Sequence, residues 1–251
     1  SRAGRYTVDD LWQHVDARTR IIAVSWVQYG TGLRTDIAEL GRRCAGRDIW
    51  LVVDGVQGAG LLRAEVDAWG VDAFASGAHK GLLGPLGVGF LHVSSRLLDA
   101  LDPLYIGPSE VTTLGKDGLQ WQVAVSDAGD ARRLESGNLN YPGIAGLAGA
   151  LDLIEWAQPE RIEPWVMELS TALSDGLRAL GLQVVSPADD ALRSTTTAVR
   201  VADPAAALAH LAREGVVASI VEYGYLRLSV GAYNNHGDIE RILRAARGFA
   251  A

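Results

Sequence analysis

The stretch that decides the fold is Ile49-Trp50-Leu51-Val52-Val53-Asp54-Gly55-Val56-Gln57-Gly58-Ala59-Gly60. Five apolar residues, three of them β-branched, end on a carboxylate and then on glycines, the pattern of a buried strand that opens into a turn. In open α/β sheets the crevice beyond the carboxyl ends of the strands is where ligands bind, so Asp54 is a candidate site residue by position. Working outward, Arg20–Trp26 (RIIAVSW) and Val71–Ser76 (VDAFAS) read as two more buried strands, and Gly87–Val93 (GVGFLHV) as a fourth. Between the first two strands, Asp36-Ile37-Ala38-Glu39 has capping-box spacing, and Ile37, Leu40, Gly41 and Cys44 then fall on one helical face. Strand, helix and strand in this rhythm predict a mostly parallel sheet with crossover helices. Cys44 is expected to be a small buried hydrophobe.

After the third strand comes Gly77-Ala78-His79-Lys80-Gly81-Leu82-Leu83-Gly84-Pro85-Leu86-Gly87-Val88-Gly89. Of 23 basic residues only Lys80 and Lys116 are lysine. A chain that uses arginine almost everywhere else has placed a lysine where amine chemistry would be useful, since arginine is never a useful amine nucleophile. The glycines around it match neither a dinucleotide fingerprint nor a P-loop.

Residues 103–130 show no clear period and read as a long functional loop. Pro142 opens a helix with Ile144, Leu147, Ala148 and Leu151 on one face, and a second helix is expected from about Glu163 to Leu180. Beyond it the pattern predicts strands at Leu182–Val185 and Thr195–Val201, a helix at Ala205–Glu214, strands at Val216–Val221 and Tyr225–Val230, and a helix at Asp238–Ala246. The fold class is therefore α/β: a large domain over residues 1–150 and a small α+β domain over 151–251.

Composition narrows the function. The chain has 251 residues, is 48% hydrophobic and carries a net charge of −7. A chain of this length buries about 70–75% of its unfolded surface and needs no disulfide staple. The acidic balance argues against nucleic acid or an anionic membrane as the main partner. Ser1-Arg2-Ala3-Gly4-Arg5 lacks a signal-peptide core and no apolar run has the length of a membrane span, so the expected compartment is the cytoplasm. One cysteine excludes an internal disulfide and a CxxC knuckle. His14, His92, His210 and His236 lie on different elements without metal-ligand spacing, and no metal is expected. A Ser-His-Asp hydrolase lacks its G-x-S-x-G elbow.

Taken together, Asp54, Gln57 and His79-Lys80 resemble the class V aminotransferase family of fold-type I pyridoxal-phosphate (PLP) enzymes, which includes cysteine desulfurases, selenocysteine lyases and isopenicillin-epimerase-like proteins. The resemblance implies that Lys80 bonds the cofactor aldehyde and acts in catalysis. It also implies that Asp54 pairs with the pyridine nitrogen, that Gln57 meets the phenolic oxygen, and that Ser76 and His79 donate to the phosphate. Leu134-Glu135-Ser136-Gly137-Asn138-Leu139-Asn140-Tyr141-Pro142-Gly143 is similar to the segment that reaches the phosphate of the neighbouring subunit, with Asn138 standing where the family carries Thr or Ser. This implies a homodimer. Leu226-Arg227-Leu228-Ser229 with Tyr233-Asn234-Asn235 resembles the family's C-terminal signature, which implies that Arg227 grips the α-carboxylate of a small amino-acid substrate.

The sequence also departs from the family pattern. Gly77 stands where a phosphate-binding Ser, Thr or Asp is usual, and Trp26 where desulfurases carry Asn. No cysteine follows Cys44, so the sulfur nucleophile of a persulfide relay is absent from the expected loop. The match covers about the C-terminal two-thirds of a family member; the segment that stacks on the cofactor ring and completes the phosphate loop would come from outside these residues. The expected activity is β-elimination by a cysteine-type C–S lyase, with an epimerase or aminotransferase as the alternative on the same scaffold. A non-catalytic fragment or binding module is the alternative of another class. Similar lyase domains occur in polyketide assembly lines, and this Arg- and Ala-rich chain is compatible with such a domain.

Overall fold

A computed structural model describes residues 5–102, 105–107, 111–125, 129–135 and 137–249. The first sheet holds β1 (Ile21–Ser25), β2 (Trp50–Asp54), β3 (Ala73–Gly77) and β4 (Gly89–Val93) in that order. β1, β2 and β3 run parallel and β4 antiparallel, so the sheet is mixed and mostly parallel. Ser25 pairs with Asp54 and Asp54 with Ala75. The three parallel strands therefore end side by side, and the turns that follow them meet in one crevice.

α1 (Val8–Trp12) and α2 (Ile37–Ala45) flank this sheet. Asp36 caps α2 by accepting from the Glu39 amide at 2.9 Å. The Glu39 carboxylate engages Arg42 and Arg43. Ile37, Leu40 and Cys44 pack with Leu51, Val53 and Phe74 in one core, and Cys44 is buried there as expected. Trp26 is also a core residue, 1% exposed, with its ring 5.1 Å from that of Trp69 and 6.1 Å from that of Phe74.

α3 (Ser95–Ala100) leads to a hairpin, β5 (Val111–Asp117) and β6 (Gln120–Val125). The hairpin corrects the expectation of an irregular loop over 103–130. Thr112, Thr113, Lys116 and Gln122 are exposed, as are Leu114 and Val123, so no buried face imposes the alternation by which a strand is read. Residues 103, 104, 108–110 and 126–128 of that stretch, and Ser136, lie outside the described residues.

α4 (Tyr141–Ala157) begins where Pro142 predicts, capped by Asn140. The apolar face of this helix is unevenly covered. Leu147 is buried, but Ile144 is 40% and Leu151 45% exposed, and Ala148 is exposed. Residue 150, the expected domain boundary, lies inside this helix.

After α5 (Pro159–Ala179), the strands β7 (Gln183–Val184), β8 (Thr196–Arg200), β9 (Ser219–Val221) and β10 (Tyr225–Ser229) form an antiparallel sheet ordered β7-β8-β10-β9. With α6 (Pro204–Arg213) and α7 (His236–Ala246) they enclose a second core that includes Val166, Leu169, Leu173, Leu211, Leu226 and Ile239. Ser186 donates to the Thr31 carbonyl at 2.6 Å and Ser194 to the Gly32 carbonyl at 2.7 Å. Glu163 holds Arg34 at 2.9 Å and the Arg63 amide at 2.8 Å. These bonds dock the loop that follows β1 onto the second sheet. Among the described residues no helix is long and apolar enough to cross a membrane.

Candidate active site

Three turns of the first sheet and one strand of the second build the site. Gln57 lies in the turn after β2, and His79 and Lys80 in the loop after β3. With Arg227 of β10 they line a cavity of about 430 Å³. The turn and the loop touch backbone to backbone. A Cβ on Gly60 would lie 2.4 Å from the Gly81 carbonyl carbon, and one on Gly81 2.5 Å from the Ala59 carbonyl oxygen. Glycine at both places is what lets Lys80 stand this close to the end of β2.

The Lys80 amine is held below its ordinary range, first by burial, then by the positive charge of Arg227, while Asp54 opposes both. Burial also lowers the Arg227 guanidinium. Arg227 Nη2 donates to Gln57 Oε1 at 3.2 Å and to Thr196 Oγ1 at 3.4 Å; Thr196 in turn bonds the Ser229 hydroxyl at 3.1 Å. Arg227 Nε is buried without a hydrogen-bond partner among the described residues. Among the described residues no carboxylate lies within ion-pair distance of Arg227. A desolvated cation lacking a counter-ion is costly, so such a group is suited to receive an anionic ligand.

Asp54 and Ser76 line a second, larger cavity of about 960 Å³, with Gly77, Gly87, Phe90 and Asn140. Asp54 Oδ1 accepts from the Val56 amide at 2.9 Å, which fixes the carboxylate; among the described residues Oδ2 has no protein donor. Ser76 is buried and donates to the Gly77 carbonyl at 3.2 Å. A Cβ on Gly77 would lie 3.1 Å from His79 Nδ1, so a larger residue there would crowd the histidine. The expected constellation is thus split: Gln57, His79, Lys80 and Arg227 share one cavity, and Asp54 and Ser76 the other. Asn138 is exposed and lines neither; Asn140 lines the larger one and donates to the Gly87 carbonyl at 3.4 Å.

The donor set fits pyridoxal phosphate: an open carboxylate oxygen at a strand end for a pyridinium, a lysine of lowered basicity for an aldehyde, and a Gln amide nitrogen, a serine and a histidine as donors. Sequence reasoning missed Tyr29, whose ring lies 4.6 Å from the Arg227 guanidinium and 5.8 Å from Lys80 Nζ. The available signal was its place in the loop beyond the carboxyl end of β1, the same crevice rule that picks out Asp54.

Known proteins bear on this geometry. The family described as aminotransferase class V matches residues 1–242. An uncharacterized aminotransferase of Schizosaccharomyces pombe is 32% identical over 91% of this chain and 58% of its own length. The cysteine desulfurase CsdA of Escherichia coli is 30% identical over 95% of this chain and 60% of its own. The structure of a cystine C-S lyase, C-DES, superposes with a TM-score of 0.83 at 24% identity over 96% of this chain and 64% of that one, which shows a shared fold. The chain spans about three-fifths of the length of the two curated relatives. With its fold-type I architecture, the chain belongs to the class V aminotransferases, a pyridoxal-phosphate-dependent family.

Proposed function

We propose that this chain carries the lysine, pyridine-nitrogen and carboxylate-binding parts of a PLP-dependent C–S lyase that acts on a small cysteine-type amino acid. The observation that carries the reading is the half-buried Arg227, without a carboxylate partner among the described residues, in one cavity with a half-buried lysine of lowered basicity. The cofactor, when bound, supplies an electron sink for negative charge at the substrate α-carbon.

Lys80 would hold the cofactor aldehyde, and its amine would take the substrate α-proton as general base. Asp54 keeps the pyridine nitrogen protonated through its free Oδ2. Gln57 orients the ring from its amide nitrogen, and Ser76 and His79 donate to phosphate oxygens. Arg227 binds the α-carboxylate and so fixes which bond at the α-carbon is cleaved.

Asn138 serves the phosphate of a partner subunit in a homodimer, which we place in the cytoplasm. The exposed Asn138 and the exposed Ile144, Leu151 and Trp156 of α4 support a second copy on this side. Cys44 supports a lyase over a persulfide relay. It is the one cysteine of the sequence, it is 1% exposed, and burial pushes its thiol up to about 11, far from a thiolate at neutral pH.

Product analysis tests the reading. With PLP and an S-substituted cysteine, β-elimination releases the thiol, pyruvate and ammonium in equal amounts. Alanine with protein-bound sulfur would make the protein a desulfurase. A racemised substrate would make it an epimerase, and an oxo acid with an aminated acceptor a transaminase. No turnover by the purified chain, alone or dimeric, would leave the alternative of a non-catalytic fragment or binding module.

A further inference from the structure

Tyr29 stands in a loop that is fixed on both sides. Gln28 and Gly32 close on each other through a 2.9 Å amide-to-carbonyl bond, and the Thr31 and Gly32 carbonyls are held by Ser186 and Ser194. The Arg34 amide donates to the Leu192 carbonyl at 2.7 Å. The phenol ring itself remains half exposed. It lines the cavity that holds Lys80 and also a neighbouring one of about 660 Å³ bounded by Val216, Ser219, Asp238 and Arg241.

The ring lies 4.6 Å from the guanidinium of Arg227, within the range of a cation–π contact. Such a contact becomes stronger as the cation is desolvated. A carboxylate at the same place would hold Arg227 as firmly, but it would neutralise the charge and occupy the N–H donors. An aromatic face stabilises the cation and leaves its in-plane donors open. Nη2 is engaged by Gln57 and Thr196, whereas Nε is without a partner among the described residues.

We propose that Tyr29 is a positioning residue that holds the Arg227 guanidinium by its aromatic face, so that in-plane N–H groups remain available to the α-carboxylate of the substrate. The inference rests on Arg227 as the carboxylate receptor. It requires the ring and not the hydroxyl, and it makes Tyr29 matter for ligands that carry an α-carboxylate and not for the matching amines.

Chemical protection tests it without turnover. Phenylglyoxal modifies accessible guanidinium groups, and peptide mapping follows Arg227 alone. In the wild-type chain S-methylcysteine protects Arg227 and S-methylcysteamine, which lacks the carboxylate, does not. Tyr29→Phe keeps that protection within about three-fold in ligand concentration, whereas Tyr29→Leu needs roughly ten-fold more S-methylcysteine for the same protection. A Tyr29→Leu chain that keeps its melting temperature and is protected like wild type overturns the inference while leaving Arg227 as the receptor. A Tyr29→Phe chain that loses protection as Tyr29→Leu does overturns it too, by assigning the effect to the hydroxyl. Failure of S-methylcysteine to protect wild-type Arg227 removes the receptor reading and the inference with it.

Discussion

Lys80 and Arg227 come from different sheets to one cavity, and the charge of Arg227 helps to keep the Lys80 amine below its ordinary range. Removing that charge must therefore raise the amine toward its usual value, and removing Asp54, which acts the other way, must lower it further. The pH dependence of Lys80 modification by trinitrobenzenesulfonate, mapped by peptide, reads both. Arg227→Gln moves the midpoint to higher pH, and Asp54→Asn moves it to lower pH. Burial is the larger cause, so Arg227→Gln restores the midpoint only part of the way to the ordinary value. A midpoint that falls in Arg227→Gln contradicts the placement of the two groups.

Substitution at Arg227 also affects substrate use. Each charge-assisted hydrogen bond to a carboxylate contributes about 1.5–3 kcal/mol, so Arg227→Gln lowers kcat/KM for a cysteine-type substrate roughly ten- to a hundred-fold per bond lost. The corresponding amine without a carboxylate loses less, since for it the variant alters only the Lys80 amine. Equal losses for the two substrates would mean that Arg227 supports the fold and not the carboxylate.

The backbone contact between the turns after β2 and β3 gives a stability prediction. A Cβ on Gly81 would meet the Ala59 carbonyl oxygen at 2.5 Å, so Gly81→Ala is expected to cost about 1–3 kcal/mol through overpacking. Gly149, inside α4, has no neighbour within 4 Å of a built Cβ, and Gly149→Ala should stabilise by up to about 1 kcal/mol through helix propensity. Urea midpoints of the two variants should move in opposite directions from wild type. A neutral Gly81→Ala would show that the lysine loop is not packed on the β2 turn.

Cys44 belongs to the core of the first sheet, so its role is packing. Cys44→Ala keeps C–S cleavage and loses stability. Cys44→Ser loses more, about 1–3 kcal/mol, because it buries a hydroxyl among apolar side chains. Loss of cleavage in a folded Cys44→Ala protein would instead assign sulfur chemistry to this thiol.

The sequence made legible the features with local causes. β1 and β2 fall on apolar, β-branched runs and β3 on a shorter apolar one; Asp54 ends β2 and Lys80 stands just past β3, where the crevice rule looks for them. Trp26 reads as a departure at a site position, yet in the fold it fills the core against Trp69 and Phe74. The hairpin of β5 and β6 escaped because a strand with no buried face need not alternate. The apolar face of α4 is legible in the sequence, but which of its residues this chain covers is not. Tyr29 has its place beyond β1 as a signal but not its partner: Arg227 lies on the other sheet, and the bonds of Ser186, Ser194 and Arg34 at the intervening loop help bring the two together.

Lys80 as the cofactor-bearing amine is open to one decisive measurement, helped by a chain with only two lysines. The protein is incubated with pyridoxal phosphate at neutral pH, reduced with borohydride, digested, and the phosphopyridoxyl group located by mass spectrometry. A lowered amine is more often unprotonated at that pH and reacts first, so the label falls on Lys80 at cofactor concentrations that leave Lys116 unmodified. Label on Lys116 or the terminal amine at equal or lower cofactor concentration, with Lys80 unmodified, would contradict it.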